Sequence, residues 1–128
     1  NVRAMKIATI IARLLLGPAF TVFGLNFFLN FIPQPPPEPG LMADFGKVFI
    51  ASGFAKAIGA VQLVSGLLLL VGRFVPLALT MLAAMIFNIL VIHITMAPSG
   101  IGPGLFAAVL EIFLVWSYRD RFAGILRP

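Results

Sequence analysis

The chain has 128 residues, of which 61% are hydrophobic and 10% charged, with a formal net charge of +5 and no cysteine. A mean hydropathy of +1.11 excludes an ordinary water-soluble domain. The missing cysteines exclude disulfides, thiolate metal sites, iron–sulfur clusters and covalently attached c-type haem on these residues, and the basic surplus, gathered at the ends of apolar runs, speaks for membrane orientation and not for nucleic acid.

The first apolar run covers residues 7–32, ample for the roughly 20 residues that cross a bilayer. Asn1, without a preceding Met, and the lack of a small-residue cleavage pattern predict a retained helix and not a signal peptide. Gly17-Pro18 removes one backbone donor and is expected to bend the helix. Arg13 lies one or two turns inside this run, and Asn26 and Asn30 lie in its far half.

Five prolines between Pro33 and Pro39 forbid a helix and predict an outer loop. Beyond it, Leu41, Met42, Phe45, Val48 and Phe49 recur at helical spacing with Asp44 and Lys47 opposite, as in a short amphipathic helix lying on the membrane surface. Residues 33–52 thus form an outer loop and interfacial helix.

The second run, residues 53–72, carries Ala55, Gly59 and Gly66 on one stripe, a face suited to close helix packing. Gln62 sits near its middle and Lys56 at its outer start. The tight segment from Gly72 to Pro76 makes the second and third runs antiparallel neighbours. The third run, residues 74–97, holds Asn88 and the sole histidine, His93. Gly and Pro break the chain again between 97 and 104, and the fourth run, residues 101–118, holds Glu111 and ends in Trp116 and Tyr118, read as an interfacial aromatic belt.

Arg3, Lys6, Arg13, Arg73, Arg119, Arg121 and Arg127 flank one end of the runs, whereas the other end has Lys47 and Lys56 offset by Glu38 and Asp44. The positive-inside bias therefore places both termini in the cytoplasm. The expected architecture is an all-α integral membrane protein, one domain over residues 1–128, built as an antiparallel bundle of four transmembrane helices with a short outer interfacial helix.

Polar side chains at membrane depth are costly and mark the candidates for function. Counted from the cytoplasmic side, Arg13 and Glu111 lie at matching depth and are expected to pair, with Gln62 able to join them. That cluster reads either as a structural clamp or as a proton or ligand site. Near the outer side, His93, Asn88 and Asn26 form a candidate cofactor pocket. A single histidine excludes bis-His haem within one copy but permits one axial bond to a chlorophyll-type pigment or a hydrogen bond to a quinone. No metal-ligand spacing, catalytic triad or phosphate loop occurs.

The stretch from Gly59 to Phe74, the stretch from Asn88 to Ser99 with its His and Ala-Pro-Ser, the stretch from Glu111 to Arg121, and Ile32-Pro33-Gln34-Pro35 resemble the DoxX-like family of small bacterial and archaeal membrane proteins. The resemblance implies four helices in a bacterial inner membrane. It also implies an association with quinone-coupled sulfur oxidation or membrane oxidoreductase assemblies for some members. Many relatives carry Glu where this chain has Gln62, which turns the expectation toward a structural or binding subunit. The function expected is an accessory subunit of a larger respiratory or photosynthetic electron-transfer complex, in contact with lipid and other membrane subunits and helping to hold a quinone, pigment or lipid. The alternatives are a stand-alone quinone-linked oxidoreductase or small-solute carrier, and a homo-oligomeric scaffold.

Overall fold

The computed structural model describes residues 1–125 and 127–128. Helix accounts for 80% of the chain, and no strand occurs among the described residues. Helix α1 spans Val2–Leu29. It starts earlier than the apolar run because the Asn1 side chain caps it, its Oδ1 accepting from the backbone of Arg3 at 2.9 Å and Ala4 at 3.2 Å. Ala4, Met5 and Lys6 are good helix formers that carry it on. It ends at Asn30, left-handed at φ 50°, whose N–H donates to Asn26 O at 2.9 Å. Asn26 Oδ1 accepts from Ile32 N at 2.9 Å and ties down the start of the proline loop.

Helix α2 covers Leu41–Ala51 and lies against α3 and α4. Its Phe45 and Phe49 stack at 5.4 Å, and Phe49 also meets Phe27 of α1 edge-on at 5.9 Å and Phe54 at 5.6 Å. This aromatic cluster fastens the short helix to the bundle.

Helix α3, Phe54–Val71, turns through Gly72 and Phe74, both at positive φ, into α4, Val75–Met96. A 3-10 turn at Pro98–Gly100 leads to α5, Gly102–Ser117, and a second one, Arg119–Phe122, follows it. Each of α4 and α5 has a proline in its first turn, where no donor is missed. The four long helices form a ring: α1 packs on α3 and α5, and α4 closes it from the other side. The core comprises Ala12, Leu16 and Phe20 of α1, Leu69 of α3, Val75, Ala78, Leu79, Leu82 and Ile86 of α4, and Leu114 of α5.

Helices α1, α3 and α4 are each long and apolar enough to cross a membrane. The expected fourth span is shorter than predicted: α5 has 16 residues, and the polar 3-10 turn takes over where the apolar run leads toward Tyr118.

Apolar contacts inside a membrane gain little from the hydrophobic effect, because lipid is as apolar as leucine, so close fit decides which helices associate. Here α1 and α3 meet through Gly17 and Gly24 on one side and Gly59 and Gly66 on the other. A Cβ at Gly66 would stand 2.5 Å from the Thr21 backbone nitrogen, and one at Gly24 would stand 2.6 Å from Leu63 N. The small stripe expected on α3 is thus the seat of α1.

Candidate functional site

Among the described residues, three polar or charged side chains are buried in the bundle: Gln62 and Ser65 of α3 and Glu111 of α5. Ser65 follows Gln62 by three residues and precedes Leu69 by four, so all three share the inward face of α3. Glu111 precedes the fully buried Leu114 by three and faces inward for the same reason. The glycine contacts between α1 and α3, the tight turn into α4, and the approach of Gly104 to Ile89 and Leu90 set the register of the four helices. Counted from those points, Glu111 is level with Leu82 of α4 and with Val64 and Ser65 of α3. Ser65 Oγ and both carboxyl oxygens of Glu111 have no hydrogen-bond partner among the described residues.

The expected ion pair between Arg13 and Glu111 does not form. Arg13 Nε donates to Leu69 O at 2.8 Å, and the guanidinium lies over Gly72, where a Cβ would come within 2.8 Å of Nη2. Two physical causes separate the residues. Helix α1 begins at Val2 and runs past the α3–α4 turn, so Arg13 stands beside Gly72, nearer the terminus-bearing end than Glu111. Helical side chains also lean toward their own N-terminus. On these antiparallel helices that lean carries the arginine toward the Gly72 turn and the glutamate the other way.

Each residue predicted for a cofactor pocket bonds within its own helix or at its end. Asn26 is occupied in closing α1. Asn88 is exposed on the outside of α4, where its Nδ2 donates to Ala84 O at 2.9 Å. His93 stands five residues on, roughly 140° around the helix at 100° per residue. Its Nδ1 lies 2.7 Å from Ile89 O. A carbonyl can only accept, so Nδ1 carries the proton and a neutral ring keeps Nε2 as a lone-pair donor, beside the Pro98–Gly100 turn. Among the described residues no three His, Asp or Glu side chains come together as metal ligands.

Ser65 is the site residue that pattern reading passes over. Its spacing from Gln62 marks it, since one buried polar position on a packed helix face implicates the next residue on that face. The interior therefore offers a carboxyl, a hydroxyl and an amide, groups able to accept and donate hydrogen bonds.

A family model for DoxX matches residues 8–95, from the second turn of α1 to the end of α4. The chain belongs to the DoxX family. No curated protein and no solved structure matches it at a significant level. In this DoxX protein the matched stretch includes Arg13, Gln62, Ser65, Asn88 and His93, while α5 with Glu111 lies beyond it.

Proposed function

We propose that this protein is an accessory subunit of a larger membrane electron-transfer complex, lying in a bacterial inner membrane with both termini in the cytoplasm. The observation that carries the subunit reading is Asn88. It is exposed on the outer surface of α4, some 13 residues from one helix end and eight from the other, hence at membrane depth. One amide hydrogen bond goes to its own helix, and the rest of the group would face hydrocarbon in an isolated chain, whereas a neighbouring transmembrane helix would satisfy it. The cations concentrated around the ends of α1, α3 and α5 support the orientation. The family resemblance supports the link to electron transfer, and His93, with Nε2 available, is the residue we assign to a quinone, pigment or lipid contact.

Gentle solubilisation from native membranes, followed by native mass spectrometry and an absorption spectrum of the same particle, tests this reading. Co-migration with haem- or pigment-bearing subunits is the expected result. A colourless particle of this chain alone would overturn it, and a ring of identical copies would replace it with the homo-oligomeric scaffold.

A second reading is favoured by the unpartnered Ser65 hydroxyl and Glu111 carboxyl in the interior: a stand-alone quinone-linked oxidoreductase or small-solute carrier in which Glu111 takes up and releases a proton. Under that reading Glu111→Gln abolishes turnover in proteoliposomes while the helical content stays intact. Full turnover in the variant would dismiss it.

A further inference from the structure

The first turns of α1 stand beyond the α3–α4 turn, and the segment after α5 folds beside them. Between the two lies an open groove of about 710 Å³. Its walls carry Lys6 and Arg13 from α1 and Arg119 and Arg121 from the other side, against one carboxylate, Asp120. Lys6 and Arg13 are seven residues apart and so share a helix face. Arg119 is braced, its guanidinium carbon 4.5 Å above the Trp116 ring and its Nη1 donating to Trp116 O at 2.8 Å. Arg121 lies 5.4 Å from the centre of the Tyr118 ring. Stacking of this kind orients a guanidinium while leaving its edge available to an anion.

The lining is not only basic. Ile10 and Trp116, each about half exposed at 47% and 49%, give the groove an apolar flank. Tryptophan and tyrosine beside clustered cations are the composition of a membrane–water boundary, where basic pockets between helices take lipid headgroups. A soluble phosphorylated ligand would use the cations but not the apolar flank. A phospholipid uses both.

We propose that this groove seats the phosphate of an acidic phospholipid between α1 and the segment following α5. The site does not depend on the electron-transfer reading, since a lone chain and a subunit of a complex would both carry it.

The test is native mass spectrometry of the full chain in detergent. The chain is titrated with phosphatidylglycerol or with phosphatidylcholine of the same acyl chains, each with and without millimolar inorganic phosphate. Phosphatidylglycerol is expected to be retained in preference to phosphatidylcholine, and inorganic phosphate is expected not to displace it. The double variant Lys6→Gln/Arg121→Gln should weaken phosphatidylglycerol binding about 30-fold, at roughly fivefold per cation removed. Arg3→Gln/Arg73→Gln removes the same charge from positions outside the groove and should leave binding unchanged.

Equal retention of the two lipids, or equal loss in the two double variants, would overturn the proposal. Displacement by inorganic phosphate would also overturn it and assign the groove to a soluble phosphorylated ligand. Should the groove variant fail to fold, the wild-type chain decides. A photoactivatable phosphatidylglycerol must then label peptides from residues 1–13 and 116–121, and labelling confined to other segments refutes the site.

Discussion

A carboxyl group enclosed in an apolar bundle with both oxygens unpartnered, as at Glu111, works against folding, because a buried polar group without a partner retains its full desolvation penalty. Replacing it with leucine, close in size and free of that penalty, should stabilise the bundle by about 1–3 kcal/mol. Reversible unfolding of Glu111→Leu in mixed micelles checks this, and a loss of stability would mean that the carboxyl is engaged after all. Arg13 carries the opposite expectation. Its bond to Leu69 O is donated by a charged group, so Arg13→Leu should destabilise by roughly 1.5–3 kcal/mol in the same assay. The contrast between the two substitutions separates a working contact from an idle one. Neither role is legible from the residues alone: a matching count of turns suggests a pair, but the lean of each side chain along its helix keeps them apart.

At the scale of the helices, the seam between α1 and α3 is set by backbone approach and not by side-chain bulk. Gly66→Ala must push Thr21 and Gly17 away, and a cost of about 1–3 kcal/mol follows from overpacking a rigid contact. Gly46 in α2 is the internal control, since a Cβ there meets nothing within 4 Å and Gly46→Ala should instead gain about 0.5–1 kcal/mol from helix propensity. Both are read by thermal unfolding of the purified chain. Much of this level was legible in the sequence. Apolar run length marked the long helices, helical periodicity marked the short α2, the prolines between Pro33 and Pro39 separated α1 from α2, and Gly59 and Gly66 announced a packing stripe. The partner of that stripe stayed hidden because Gly17 was read only with Pro18, as a bend, and not as the other half of the seam. The start of α1 was hidden for a different reason, because Arg3 and Lys6 break the apolar run without breaking the helix. That same early start displaced the depth assigned to Arg13.

For the molecule as a whole, the polar residues of the loop half show the limit of reading positions without partners. Asn26, Asn88 and His93 share the outer half of the sequence runs, and in the structure Asn26 closes a helix, Asn88 faces outward and His93 bonds its own helix. Asn88→Leu should therefore leave the isolated bundle folded and its stability within about 0.5 kcal/mol, as for surface substitutions generally, while loosening any association made through that face. Size-exclusion chromatography in mild detergent would show the change. The unequal helix lengths have a further consequence. At 1.5 Å per residue the apolar part of α1, residues 7–29, measures about 34 Å and α5 about 24 Å, set against a hydrocarbon slab of about 30 Å. A bilayer surrounding this protein meets a tall wall at α1 and a low one at the neighbouring α5. It must thin beside α5, so the protein should settle in short-chain lamellae and draw short acyl chains to that flank.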